Sequence, residues 1–137
     1  MLDIASYSKQ TKYLVALDSI IFGFDGNQLN ILLVKRGPDS TIDTWSLMGG
    51  WLAENENLEL SAERILYELT GLKEVYLEQL YTFGDIHRDP IARTVSVAYF
   101  ALINVEHYDS SVSEVHHAQW FPVSQMPDEI LFDHRQM

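Results

Sequence analysis

The sequence contains no cysteine, which excludes disulfide bonds and thiolate chemistry. It has only 9 lysine and arginine residues against 20 aspartate and glutamate residues, giving a formal net charge of -11. Because neutralising phosphates requires clustered cationic side chains, this composition argues against nucleic-acid binding by this segment alone. No apolar run approaches the roughly 20 residues that span a membrane. These absences predict a cytoplasmic protein that has no membrane partner.

The chain does contain enough apolar sequence for one folded domain. It has 137 residues, of which 47% are hydrophobic and 21% are charged, as in a globular protein. Residues 13–34 predict a β-hairpin around a turn at residues 25–27. Further strands are predicted at 75–83, 95–103 and 118–122, and the aliphatic content of 95–103 predicts a central strand buried on both faces.

The stretch between Gly50 and Leu72 predicts a glycine turn, an acidic loop and one amphipathic helix. Gly71 follows the helix where a left-handed residue commonly ends one. Arg64 and Glu68 lie four positions apart and are expected to touch on the helix surface. The apolar residues that recur at helical spacing form one stripe: Leu58, Ala62, Ile65 and Leu69.

This stretch resembles the Nudix box, Gly-x5-Glu-x7-Arg-Glu-U-x-Glu-Glu-x-Gly-U, where U is a bulky aliphatic residue. The positions that match without a gap are Gly50, Glu56, Arg64, Leu66, Glu68, Gly71 and Leu72. The resemblance implies an α/β protein with the Nudix fold, a mixed β-sheet sandwiched between helices. Two positions depart from the pattern, because Ile65 and Leu69 stand where it has glutamate.

These departures affect the chemistry that the family pattern implies. Positions 65, 68 and 69 share one helix face, where three carboxylates can hold Mg²⁺ or Mn²⁺ against a diphosphate. Here only Glu68 remains, with Glu56 in the loop, so no catalytic residues and no cofactor are expected. Glu56, Arg64 and Glu68 are then a residual box. The alternative is a Mg²⁺-dependent hydrolase of ADP-ribose or a related nucleoside diphosphate, in which Glu56 and Glu68 are metal ligands.

A second resemblance narrows the family. Residues 79–85, 88–90 and 93–99 are similar to the Nudix-related transcriptional regulators, in which a Nudix-like domain precedes a winged helix-turn-helix. That resemblance implies a homodimer that senses a small-molecule effector and contacts DNA only through its C-terminal domain. The sequence stops within an element at 130–137. We therefore expect residues 1–137 to be a single Nudix-like domain, the N-terminal part of a longer regulator.

The resemblance leaves two classes of effector open. Some members of the group bind ADP-ribose or related nucleotides and govern NAD metabolism, whereas others respond to sugars such as arabinose. A diphosphate favours metal-binding carboxylates, but a neutral pentose does not need them. The degraded box therefore favours a pentose such as L-arabinose, with ADP-ribose or another nucleotide-sugar as the alternative.

The candidate effector-binding residues supply hydrogen bonds or aromatic walls. They are Asp18, Arg36, Trp45, Gly49, Gly50, Tyr81, Asp85, Arg88 and Arg93, with His87 and Tyr99 as further candidates. Each has a structural alternative. Asp18 either faces a pocket or caps the exposed side of its strand, Trp45 either stacks on a ligand or belongs to the core, and Arg88 either binds the ligand or pairs with a surface neighbour.

Overall fold

The computed structural model describes residues 3–35, 45–108 and 117–126. Within these ranges it has two α-helices and seven strands, together with short 3₁₀ turns at Val105–His107 and Val123–Gln125. The elements are α1 (Ile4–Lys9), β1 (Leu14–Phe24), β2 (Leu29–Lys35), β3 (Trp45–Ser46), β4 (Met48–Trp51), α2 (Leu58–Thr70), β5 (Glu78–Phe83), β6 (Thr94–Asn104) and β7 (Ala118–Pro122). None of the helices in these ranges is long and apolar enough to cross a membrane.

The strands form one mixed sheet built around β1. Its main order is β3-β2-β1-β6-β5, while β4 pairs with β1 and β7 pairs with β2. Strand β1 runs parallel to β6 and antiparallel to β2 and β4. Strand β6 lies between β1 and β5, which confirms the predicted central strand. The mixed sheet and its helices also confirm the predicted α/β fold class.

The hairpin of β1 and β2 follows from the chemistry of its turn. The Asp25 carboxylate accepts hydrogen bonds from the backbone N–H groups of Asn27 and Gln28, both at 2.9 Å. Gly26 adopts a φ of 90°, a conformation that side chains disfavour. These local preferences fix the turn, and the predicted hairpin is confirmed.

Helix α2 ends as its sequence predicts. Gly71 adopts a φ of 79°, and its N–H donates to the Tyr67 carbonyl at 2.8 Å. The buried Tyr108 hydroxyl donates to the Thr70 carbonyl, one of the helix-end acceptors that have no partner within the helix. Burial of this hydroxyl raises the pKa of Tyr108 to about 12. The first contact ends the helix, and the second ties its C-terminal end to the 3₁₀ turn that follows β6.

Apolar side chains cover both faces of the sheet. On one face α2 packs against β1 and β6, with a core that includes Leu17, Ile21, Ala62, Ile65, Leu66, Val97 and Tyr99. On the other face a separate cluster includes Ile20, Ile31, Leu33 and Leu47, with Trp45, Phe100 and Phe121 packed against it. Because neighbouring strand residues point to opposite faces, the polar Asp18 shares the face of Ile20.

Strand β4 departs from the prediction, since Gly50 lies in an extended strand and not in a turn. Helix α2 requires this glycine-rich strand. A Cβ atom on Gly50 would lie 2.8 Å from Cγ1 of Ile65, closer than real contacts allow. The absence of a side chain at Gly50 therefore lets the helix approach the strand, and Ile65 occupies the space.

Candidate functional site

The residual box is organised by one arginine. Arg64 Nε donates to both carboxylate oxygens of Glu56, at 2.9 and 3.1 Å. Its Nη1 donates to Glu68 at 3.2 Å, which confirms the predicted contact between positions four apart. Its Nη2 donates to the Trp51 carbonyl at 3.0 Å. Arg64 therefore joins the loop after β4 to two turns of α2.

The Glu56 carboxylate has a second anchor in the first turn of α2. The Ser61 hydroxyl donates to it at 2.7 Å and accepts a hydrogen bond from the Ala53 N–H at 3.3 Å. The hydrogen bond from Ser61, followed by that from Arg64, lowers the pKa of Glu56 below its ordinary value of 4.5. The same carboxylate raises the pKa of Arg64. Both side chains are therefore held in their charged forms at neutral pH.

The lowered pKa of Glu56 gives a testable dependence of stability on pH. A carboxyl group whose pKa is lower in the folded state stabilises the fold above its unfolded-state pKa and loses that contribution as pH falls through the folded value. We therefore expect Glu56→Gln to lower the melting temperature most near pH 7, with the difference from wild type shrinking below about pH 4.5. Thermal melts between pH 7 and pH 3 measure this difference.

Glu63→Gln is the matched control for this measurement, because Glu63 lies exposed on the same helix outside the Arg64 network. A Glu56→Gln deficit that stays constant from pH 7 to pH 3 would contradict the assigned cause of the pKa shift.

The two departures from the box lie in or beside the core. Ile65 is 3% exposed and packs with Leu17 and Val97, and Leu69 is partly buried beside the same cluster. Neither offers an oxygen ligand, and the two remaining carboxylates, Glu56 and Glu68, both contact the Arg64 guanidinium. No group of three histidine, aspartate or glutamate side chains in the described ranges could hold a metal ion. The side chains present do not fit the Mg²⁺ site that the family pattern implies.

A pocket of about 440 Å³ lies beside this network. Residues 49–53 form one wall, and the other is formed by Arg64, Ile65, Glu68 and Leu69 of α2. Trp51 stands at its rim and is 54% exposed. The pocket combines an apolar floor, an exposed indole ring and a charged edge, which suits an organic ligand.

A larger cleft, of about 620 Å³, lies between the segment after α2 and the end of β6. Its polar side chains come from Lys73, Glu74, Glu78 and Asn104. Apart from Leu72, which closes the box pattern, it contains none of the box positions or the predicted effector residues. We therefore place the candidate site at the box.

A second polar constellation lies on the sheet face opposite α2. The side chains of Asp18 in β1 and Arg88 in the β5–β6 loop are only 4% and 3% exposed, with Arg88 Nη2 4.0 Å from Asp18 Oδ2. The Ser96 hydroxyl donates to the same Asp18 oxygen at 2.5 Å, and Arg88 Nη1 donates to the Thr94 carbonyl at 3.4 Å. Asp18 therefore does not cap an exposed strand side; it ties the β5–β6 loop to the centre of the sheet.

The register aligns three of the predicted effector residues. Gly49 of β4 lies opposite Asp18 of β1, which lies beside Ala98 of β6 and, one strand further, Tyr81 of β5. These four residues form one row across the sheet. The polar centre of the sheet is thereby connected to the strand that carries the box glycines.

Comparison with known proteins identifies the family. The sequence matches the NUDIX domain over residues 12–137. The chain belongs to the Nudix family. As in the family pattern, α2 carries the box and packs against a mixed sheet.

Relatives of this Nudix domain include a transcriptional repressor. It is 36% identical over 139 residues to the ADPR-responsive transcriptional repressor NtrR of Acinetobacter baylyi, covering 98% of this chain and 56% of the relative. It also resembles the Shewanella oneidensis NrtR structure complexed with a 27mer DNA, at 34% identity and a TM-score of 0.76, covering 89% of this chain and 57% of that one. The chain thus spans little more than half the length of these two relatives.

A second structure of the same Shewanella protein contains its Nudix domain. The Nudix domain of Shewanella oneidensis NrtR, solved as a complex with ADP ribose, is 32% identical, with a TM-score of 0.77. The match covers 99% of this chain and 94% of that one. The family and these relatives confirm the resemblance drawn from the sequence. Neither relative is described as responding to a sugar.

The remaining predicted residues of this Nudix domain lie apart from the box. Trp45 packs edge-on against Phe121 at 4.9 Å between ring centroids, next to the cluster around Ile20. Asp85 is exposed, and its carboxylate accepts the His87 N–H at 2.8 Å within the β5–β6 loop. Trp45 therefore contributes to packing, and Asp85 stabilises the conformation of the β5–β6 loop. Their proposed roles in effector binding stay predictions.

Of the predicted effector residues Arg93 and Arg36, the structure describes only Arg93. Arg93 is exposed, lies 5.6 Å from the Tyr13 ring centre and donates to the Gly84 carbonyl at 3.3 Å, which closes the base of the β5–β6 loop. Arg36 lies outside the described residues.

Three site residues were missed by reasoning from the sequence. Ser61 donates a hydrogen bond to Glu56. The sequence feature that could have predicted this contact is the position of Ser61 in the first helical turn after an acidic loop. Ser96 holds Asp18, but nothing local in the sequence pairs them, because they lie on parallel strands far apart in the chain. Trp51 directly follows the box glycines, and its exposure was the feature that only the structure supplies.

Proposed function

We propose that this Nudix domain is the effector-binding domain of a transcriptional regulator and that it binds ADP-ribose without hydrolysing it. The observation that carries the proposal is the core packing of Ile65 at a box position where the family pattern has glutamate. An apolar side chain there can neither bind a metal ion nor activate water, while the fold and the pocket are retained. Such a protein keeps ligand binding and loses the chemistry.

The choice of ADP-ribose rests on the relatives. One is described as ADPR-responsive, and another was solved with ADP ribose in a domain that this chain matches almost end to end. They favour ADP-ribose over the pentose expected from the degraded box. By the same analogy the complete protein binds DNA through a C-terminal domain, acts in the cytoplasm and forms a homodimer whose geometry the effector shifts.

The binding arm of the test is a titration. We expect isothermal titration calorimetry of the purified domain in EDTA to show saturable binding of ADP-ribose and no binding of L-arabinose. Binding of L-arabinose alone would restore the sugar-sensor hypothesis, and binding of neither ligand would contradict an effector role for both.

The chemical arm is an assay of AMP release from ADP-ribose with Mg²⁺ or Mn²⁺ at high protein concentration. We expect no turnover above the buffer control. The matched variant is Glu68→Gln, which removes one residual carboxylate. Turnover in the wild type that disappears in Glu68→Gln would make the protein a hydrolase.

A further inference from the structure

Trp51 differs from the other two tryptophans in leaving its ring in solvent. Trp45 contacts Phe121 edge-on, and Trp120 contacts Tyr108 edge-on at 6.3 Å between ring centroids. Trp51 is 54% exposed and has no ring partner among the described residues. An exposed indole is a large apolar surface with a free π-face, which is the surface on which bases stack.

The backbone beneath this exposed ring is held rigidly. The Trp51 carbonyl accepts a hydrogen bond from Arg64 at 3.0 Å, and Arg64 is itself fixed by Glu56 and Glu68. Trp51 also ends β4, where it pairs with Ala16 of the central strand. Fixing the backbone from which an aromatic side chain projects reduces part of the entropy lost when that side chain binds a ligand.

The charges around the ring select against a phosphate at the same place. Glu56 and Glu68 together with Arg64 leave one net negative charge in the network. Each of the three guanidinium nitrogens of Arg64 already donates to a protein acceptor. Without a metal ion, this edge of the pocket repels a diphosphate, but it accepts an uncharged planar ring.

We propose that Trp51 stacks against the adenine ring of the effector, and that Arg64 positions Trp51 through the hydrogen bond to its backbone carbonyl. The inference rests on the proposed binding of ADP-ribose, and it specifies that the pocket at Trp51 binds the adenine ring of that ligand. The surviving box residues then have a use that does not involve metal. They hold the strand end that presents the indole.

The test compares ligands with and without the base. AMP and ribose 5-phosphate differ only by adenine, so both are titrated in EDTA, alongside ADP-ribose, against wild type, Trp51→Ala and Trp51→Phe. We expect Trp51→Ala to weaken the affinity for AMP and for ADP-ribose by roughly 5- to 100-fold, and to leave the affinity for ribose 5-phosphate within about twofold of wild type. The affinities of Trp51→Phe should lie between those of wild type and Trp51→Ala. Tyr76→Ala, which removes another exposed aromatic ring, is the control and should match wild type.

A fluorescence measurement tests the positioning role of Arg64. AMP should quench tryptophan emission in wild type, and the quenching should be lost in Trp51→Phe. In Arg64→Met we expect weaker AMP binding and reduced quenching, with ribose 5-phosphate binding retained. Unchanged quenching in a folded Arg64→Met protein would overturn the positioning role.

The outcomes separate this inference from the function on which it rests. Failure of the wild type to bind ADP-ribose removes the proposed function. Normal ADP-ribose binding by both wild type and Trp51→Ala removes only the stacking role. Equal losses of affinity for AMP and for ribose 5-phosphate in Trp51→Ala would also overturn the stacking role, because the ring would then contact the sugar or support the fold.

Discussion

Replacing Arg88 with alanine is expected to lower the free energy of unfolding by about 3–5 kcal/mol, or the melting temperature by roughly 10–20 °C. The Arg88 and Asp18 side chains are only 3% and 4% exposed, so the variant leaves the Asp18 carboxylate buried without this cation. A charge in a low-dielectric interior loses its hydration, and removing an opposite charge takes away part of what compensates that loss. Urea denaturation at neutral pH measures the effect.

Arg93→Ala is the matched control, since Arg93 belongs to the same loop but is exposed. Its contacts with Tyr13 and Gly84 lie at the surface, so we expect a loss of no more than about 1 kcal/mol. If Arg88→Ala and Arg93→Ala cost the same, the buried pair does not anchor the loop.

Restoring the family glutamate at position 65 is expected to destabilise the domain by about 3 kcal/mol or more. Ile65 is 3% exposed, packs with Leu17 and Val97, and lies directly against Gly50. Ile65→Glu would replace these apolar contacts with a carboxylate in a packed core. The denaturation midpoint in EDTA, compared with wild type, measures the loss.

Two further variants and the addition of Mg²⁺ serve as controls for Ile65→Glu. Ile65→Val keeps the apolar character and should cost about 0.5–1.5 kcal/mol. Leu69→Glu should cost less than Ile65→Glu, because Leu69 is only partly buried. Complete recovery of Ile65→Glu stability on addition of Mg²⁺ would mean that position 65 is still built as a metal ligand, and the assignment to the core would be wrong.

Features that depend on near neighbours in the chain were predictable from the sequence. The contact between Arg64 and Glu68, the helix end at Gly71 and the turn after β1 are all set by residues within four positions of each other. The spacing of the box also indicated the family, because seven positions in one short stretch constrain each other through a single helix and its loop.

Features that depend on distant pairing were not predictable. The Asp18–Arg88 pair requires β1 to lie beside β6, and no local pattern records which strands meet. Gly50 was expected in a turn because glycine is common there, but it lies in a strand, and Ile65 of α2 packs where a side chain at Gly50 would be. Tertiary contacts override the local preference of such residues.

The effector illustrates a different gap between pattern and function. Because the box lacks glutamate at positions 65 and 69, a diphosphate ligand was expected to be disfavoured and a pentose was predicted instead. A pentose follows from this absence of glutamate only where the diphosphate of the ligand has to lie in the box. If the base occupies the box rim at Trp51, a diphosphate elsewhere in the site needs no carboxylate ligands. The relative described as ADPR-responsive is then no longer at odds with the sequence.

The pairing of β1 with β6 also dictates when this domain can fold during its synthesis. Leu14 lies opposite Thr94 and Phe24 opposite Asn104, eighty positions later in each case. At about 5–20 residues per second, a ribosome takes roughly 4–16 s to produce the second strand after the first. During that interval β1 can pair with β2 and β4 and pack against α2, but it lacks its long parallel partner β6. The nascent chain should therefore be most dependent on chaperones between the emergence of β1 and that of β6.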